Sequence, residues 1–381
     1  MGVRHLYVHM PFCVHRCGYC DFVTVTGRRG EHASYVDAVL AELALEQRVL
    51  AERVETVFVG GGTPTFTEEG SLSRLLEALP VAREFTVEAN PETVTPELAQ
   101  ILRQGGVNRV SLGAQSFQPH VLSVLERRAG PDDVRRAMYL LRDAGFENIS
   151  LDFLYGVPGQ SAADLDRDLA EALALEPEHM SWYELEAKPG TRFTHAHGNE
   201  LERQAEAMED YYERVVDALT GAGFRWYEAA NFCLERDRAG GRDLRARHNL
   251  AYWLGRDYLG VGIGAVSTVD GVRRRNRPGL AAYVKSIREG HRPASETETI
   301  DSATRMRERL LLGLRLDEPL PLEDVADALD REATARMVAG GLVEIGRREG
   351  DREGREHVSL TRRGRFLAGG VSAELMLVGQ S

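Results

Sequence analysis

Three cysteines near the amino terminus constrain this chain more than any other stretch. Cys13, Cys17 and Cys20 stand in the spacing C-x-x-x-C-x-x-C within LYVHMPFCVHRCGYCDF, directly after a short apolar run that reads as a strand. Pro11 ends the run, and Gly18 lets the chain turn back between the second and third thiols. Three sulfurs can thereby converge on one point from a single loop, and thiolates so arranged bind an iron-sulfur cluster or zinc. Zinc takes a closed shell of four ligands, for which only His9 and His15 lie nearby in sequence. A four-iron cluster on three thiolates keeps one iron open for a substrate. A disulfide would leave one of the three thiols unpaired.

Downstream, short β-rich runs alternate with helical segments. Val54 to Val59, Glu84 to Ala89, Arg109 to Ala114, Asn148 to Tyr155 and His179 to Glu186 read as strands. Ser34 is a candidate cap for a helix through about Ala51, Thr95 with Pro96 opens another, and Ser161 with Asp164 resembles a capping box. Such alternation implies a parallel sheet with helical crossovers, and periodicity fits a barrel and an open doubly wound sheet equally. Glu88, Gln115 and Asp152 fall at or near strand ends, where a barrel keeps its chemistry. Gly60, Gly61 and Gly62 precede Thr63 and Pro64; such glycines admit a ligand close to the backbone, or simply make a tight connection.

A long helix is expected from Asn199 to about Thr220, followed by WYEAANFC as a strand ending near Cys233, which reads as a lone buried thiol, with a distant cluster ligand as the alternative. Basic and proline-bearing segments between Arg273 and Thr299 interrupt the pattern. They suggest a core over 1–272, a linker over 273–300 and a small carboxy-terminal domain over 301–381. That domain reads as helices over Ser302 to Leu314, Leu322 to Leu329 and Arg331 to Val338, then a hairpin of Leu342 to Ile345 and His357 to Leu360, a winged-helix-like set. Its tip, with Glu349, Asp351, Glu353 and Glu356, is too acidic for DNA. A net charge of −12 argues against a general nucleic-acid binder. No apolar run is long enough for stable membrane insertion, no signal peptide is evident, and four cysteines make no disulfide scaffold. A cytoplasmic address is expected.

Opened as Y-x-H-x-P-F-C, the cysteine motif resembles the radical S-adenosylmethionine (SAM) superfamily. Within it the chain is similar to the HemN/HemW group, which contains oxygen-independent coproporphyrinogen III oxidase and the HemW heme chaperones. GGGTP, VEANPE, RVSLGAQSF followed by Arg127, LDFLYGVPGQ and LTRRGRFLAGGVSAELM look like blocks of that group. The resemblance implies an α/β fold, a partial (β/α)6 TIM-like barrel. It also implies a 4Fe-4S cluster on Cys13, Cys17 and Cys20, with SAM on the open iron. SAM contacts are implied for Tyr7, Tyr19, Gly61, Gly62, Thr63, Glu88, Gln115, Arg127 and Asp152.

HNLAYW resembles the HNxxYW motif of the chaperone branch and implies a heme contact at His248, although a histidine among aromatics also serves as a hydrogen-bonded structural group. Val266 and Ala129 replace histidines usual in the group. Asp21 and Phe22 after the third cysteine, in place of C-x-C, favour the chaperone branch over the oxidase, as does the short start. The resemblance thus implies a heme chaperone; the alternatives are coproporphyrinogen III oxidase and a radical methylase using two SAM molecules. It leaves open whether the chain acts as an enzyme. Implied partners are heme or porphyrinogen, apo-heme protein acceptors, and a reduced flavodoxin or ferredoxin-type electron donor.

Overall fold

The computed structural model of the chain describes residues 2–186, 192–204, 207–347 and 354–376. Strand alternation builds its centre. Leu6 and Val8 of β1 (His5–Met10), Val57 and Val59 of β2 (Val54–Gly61), and Phe85 and Val87 of β3 (Ala82–Ala89) are buried on one face. Val110 and Leu112 of β4 (Arg109–Gln115) and Leu151 and Phe153 of β5 (Ile149–Tyr155) continue that row. The row forms one core with α1 (His32–Glu46), α2 (Glu69–Ala78), α3 (Pro96–Gln104), α5 (Pro131–Asp143) and α6 (Ala162–Ala174), the short α4 (Pro119–Val124) preceding α5. By the same period of two, Tyr7, Phe58, Glu88, Ser111 and Asp152 point the other way, into the barrel.

The sheet runs β9–β1–β2–β3–β4–β5–β6–β8–β7, with β6 (His179–Glu184), β7 (Phe224–Glu228), β8 (Asn231–Leu234) and β9 (Leu259–Val261). Strands β1 to β6 are parallel and stand in sequence order. Each new strand is added on the same side, which is how a barrel winds; a doubly wound sheet reverses at a switch point. An antiparallel hairpin finishes one edge and β9 the other, so the barrel is partial.

Local signals largely hold. Thr95 Oγ1 accepts from the Leu98 amide, and Ser161 and Asp164 exchange capping bonds. Four expectations change. First, α1 starts at His32, because a 3-10 turn over Arg29–Glu31 leads into it, and it ends at Glu46; Ser34 lies inside and bonds back to the Glu31 carbonyl. Second, the long helix is two, α7 (Arg192–Gln204) and α8 (Met208–Gly221); Ala205, within the expected span, falls outside the described residues. Third, WYEAANFC is a hairpin, with β7 and β8 pairing around Ala229 and Ala230.

Fourth, 273–300 is not a bare linker. After α9 (Arg247–Trp253), strands β10 (Val266–Val269), β11 (Val272–Asn276) and β12 (Ser295–Thr299) form an antiparallel sheet, and α10 (Leu280–Arg288) packs on α1. Arginines concealed this strand from a hydrophobic reading. Arg273 is paired by Glu308 at 2.7 Å and Arg274 by Glu46 at 2.9 Å, so a charged segment is satisfied in a sheet.

The carboxy-terminal unit has its own apolar cluster, including Leu310, Leu314, Val358 and Leu375. It comprises α11 (Ser302–Gly313), α12 (Arg331–Ala339), α13 (Arg362–Phe366), α14 (Ala368–Leu375) and a sheet ordered β13–β15–β14, with β13 (Leu320–Pro321), β14 (Val343–Arg347) and β15 (Glu356–Leu360). Leu322 to Leu329 makes two 3-10 turns rather than a helix, broken at Val325, whose φ is −135°. Glu349, Asp351 and Glu353 of the hairpin tip lie outside the described residues; Glu356 opens β15. The unit is fastened to β7, where Arg315 donates to buried Glu228 at 2.7 Å and Asp317 takes a two-point bond from Arg225. Among the described residues no helix is long and apolar enough to cross a membrane.

Candidate functional site

The carboxyl ends of β2 to β6 and the cysteine loop enclose a cavity of about 360 Å3. The loop is pinned at its base, because Phe12 and Cys13 pair in parallel with Val25 and Thr26. Cys13, Cys17 and Cys20 all line the cavity. Among the described residues no three His, Cys, Asp or Glu side chains are assembled as a single-ion site. His9 does not offer a fourth ligand. Its Nε2–H donates to the Val23 carbonyl at 2.8 Å and its Nδ1 accepts from the Tyr7 hydroxyl at 3.0 Å, the tautomer these partners select. Burial lowers its pKa to about 4. His15 lies on the cavity rim, with Nε2 3.7 Å from Glu126.

The glycine run zips the end of β2 against the cysteine segment. The amides of Gly62 and Thr63 donate to the carbonyls of Met10 and Phe12, each at 2.8 Å. Gly61 has φ +108°, and a Cβ there would stand 2.3 Å from the His9 ring; one on Gly62 would stand 2.6 Å from Pro11. Two of the glycines are therefore required by backbone packing as well as by any ligand. Thr63 Oγ1 donates to Cys13 Sγ at 3.5 Å.

Around the remaining wall stand two carboxylates and a cation. Glu88 Oε2 accepts the Gly61 amide at 2.8 Å; burial, with a contribution from the charge of Asp152, raises its pKa to about 7. Burial likewise raises Asp152, whose Oδ2 accepts from Ser111 at 2.8 Å. Arg127 donates to Asn90 Oδ1 and the Gly113 carbonyl, each at 2.9 Å, and reaches Cys17 Sγ at 3.7 Å. Its Nε is buried with no hydrogen-bond partner. Gln115 sits at a β-bulge with φ +65°, which turns it out of the pleat of β4. Tyr19 also lines the cavity. Tyr7 does not line it and is stacked on Phe58.

Sequence reasoning missed Asn90, Ser111 and Tyr183, which line the same space. Asn90 and Tyr183 had a signal, since each stands at the carboxyl end of a strand run, as Glu88 does.

His248 is placed elsewhere. Glu84 accepts the amides of Arg247 and His248 at the start of α9. The His248 ring is 1% exposed and stacks on Phe58, with Nδ1 on Thr56 Oγ1 at 2.7 Å and Nε2 on the Tyr252 hydroxyl at 2.8 Å. Burial lowers its pKa to about 3. Both ring nitrogens are engaged, and the ring is enclosed by Thr56, Phe58 and Tyr252. Val266 in β10 and buried Ala129 do not line the thiol cavity.

The chain matches the model of the radical SAM superfamily over residues 7–172 and that of the HemN C-terminal domain over residues 300–367. It is 36% identical to the heme chaperone HemW of Mycobacterium tuberculosis, over 97% of this chain and 94% of that protein. The heme chaperone HemW of Bacillus subtilis is 34% identical, over 82% of this chain and 83% of its own length. That of Escherichia coli is 36% identical over 68% of each. Among solved structures, coproporphyrinogen III oxidase (HemN) from Escherichia coli superposes with a TM-score of 0.80 at 22% identity, covering 97% of this chain and 89% of that one, a likeness of fold. The chain therefore belongs to the HemW family, within the radical SAM superfamily.

Proposed function

We propose that this protein is a heme chaperone of the HemW type, which binds heme and passes it to apo-heme proteins, and that Cys13, Cys17 and Cys20 ligate its cluster. The radical SAM family implies a 4Fe-4S cluster and SAM as cofactors. The observation that carries the reading is the meeting of three thiols, two raised carboxylates and Arg127 in one cavity, in a chain similar to HemW proteins almost end to end. The donor set fits the cofactors: three thiols supply three irons, and the orphaned Nε of Arg127 calls for an acceptor such as a carboxylate.

The cluster, when bound, supplies one electron for reductive cleavage of SAM. Thr63 and Gly62 would line the ligand's methionine end at the end of β2, and Arg127 would meet its carboxylate through Nε. Glu88 and Asp152 accept from ammonium and ribose hydroxyls, and a cation sharing the cavity favours their ionised forms. Gln115, re-aimed by the bulge, adds an amide, and Tyr19 completes the enclosure. Electrons come from a reduced flavodoxin or ferredoxin-type donor.

Anaerobic reconstitution followed by heme titration tests the reading. A shifted Soret band with saturable uptake, and no protoporphyrinogen formed from coproporphyrinogen III, is expected. Absence of uptake overturns it.

A further inference from the structure

A second cavity, of about 680 Å3, lies between α9 and α11, where the barrel meets the carboxy-terminal unit. It shares no lining residue with the thiol cavity. Its volume is that of a small-molecule site. Its walls combine aromatic faces with charge: Tyr258 packs edge-on to Tyr252 with ring centroids 4.5 Å apart, Trp253 and Met306 stand beside them, and four arginines share the lining with Asp257, Glu308 and Asp324.

Three buried polar atoms on this wall have no hydrogen-bond partner: Trp253 Nε1, Thr268 Oγ1 and Arg309 Nη1. Unmatched buried donors are costly, and a ligand with acceptors removes the cost. Arg305 and Arg309 are one helical turn apart on α11 and face the same cavity. Neither makes an ion pair among the described residues, whereas Arg273, on the same wall, is neutralised by Glu308. No histidine of the described residues lines the space.

We propose that this cavity seats the carried tetrapyrrole, its ring against Trp253 and Tyr258 and its carboxylates on Arg305 and Arg309. The inference rests on the heme-chaperone reading and assigns the cargo a place away from the thiols. Recognition then works through the ring and its acid side chains and not through iron, so iron-free protoporphyrin IX is held as well as heme.

Titrations of the reconstituted full-length protein with heme, with protoporphyrin IX and with its dimethyl ester, followed by tryptophan quenching, test this. Heme and protoporphyrin IX are expected to bind within about twofold of each other. The ester on wild type, and either acid on Arg305→Ala/Arg309→Ala, are expected to bind about tenfold or more weakly. The ester comparison needs no variant and so stands even if the double substitution impairs folding. Heme uptake undiminished by the double substitution, or ester bound as tightly as acid, overturns the seat and leaves the chaperone reading intact. Heme bound but protoporphyrin IX refused also overturns it, by placing the iron's ligands in command. No tetrapyrrole bound at all overturns both.

Discussion

Asn90 accepts a 2.9 Å hydrogen bond from Arg127 and passes the connection on, its own amide donating to Thr63 Oγ1 at 3.1 Å. One neutral side chain thus links the cation of the thiol cavity to the hydroxyl that touches Cys13. Asn90→Ala is expected to leave Arg127 tethered to the Gly113 carbonyl alone on that side and to weaken SAM binding by about tenfold, with iron content unchanged. Equilibrium dialysis under anaerobic conditions checks this; wild-type affinity would discount Asn90 as a positioning residue.

Cys17→Ala is expected to abolish both the iron-sulfur chromophore and reductive SAM cleavage. Cys233, buried in β8 and paired across the sheet with His179, is far from this chemistry, so Cys233→Ala is expected to retain wild-type iron content. Iron analysis of the two variants side by side decides the ligand assignment.

The Glu88 carboxyl makes the stability of the ligand-free protein depend on pH. Its folded pKa of about 7 lies above the ordinary value of 4.5. Below about pH 4.5 it is protonated folded or unfolded and contributes no difference. Between about pH 4.5 and 7 the unfolded state ionises while the folded state keeps its proton, so stability falls across that window and the loss is complete once pH passes the folded value. Glu88→Gln is expected to be more stable than wild type by on the order of 2 kcal/mol at pH 8, with the advantage gone near pH 4.5, and to bind SAM less well. Thermal melts at the two pH values measure it.

Gly61→Ala sets a methyl group 2.3 Å from the His9 ring on a backbone with φ +108°. A cost on the order of 3 kcal/mol or more is expected, since neither the strand register nor the buried imidazole can yield. Denaturant midpoints against wild type provide the number, and a near-neutral result would mean that β1 and β2 separate easily here.

Arg315→Ala removes the guanidinium that meets Glu228, whose side chain is fully buried at the join with the carboxy-terminal unit. Arg315 itself is 40% exposed, so water replaces part of the loss. A destabilisation of about 1–3 kcal/mol is expected, recovered in part by Glu228→Gln in the same chain. A double-mutant cycle reads the coupling.

The barrel was legible because its signals are local: alternating strands, the Thr95 and Ser161 caps, and polar residues at strand ends. The thiols, Glu88, Gln115, Arg127 and Asp152 were singled out because each lies in a short block of distinctive sequence, and the fold brings those blocks to one cavity. What was not legible depended on partners distant in sequence. The strand at Arg273 and Arg274 is stabilised by Glu308 and Glu46, and no window around the arginines reveals that. His248 was read from its aromatic neighbours, while the partner of its Nδ1, Thr56, stands far earlier in the chain. The two 3-10 turns before α12 replaced a helix because the first packs against β15 and the second against α11, so the apolar spacing does not answer to a continuous helical face.

The wall of strands stops at the β7–β8 hairpin without meeting β9. A complete cylinder is sealed all round by backbone hydrogen bonds. Here, among the described residues, the sheet leaves that side to side chains, and at the edge strand β7 it is the Arg315–Glu228 pair that joins the carboxy-terminal unit to the barrel.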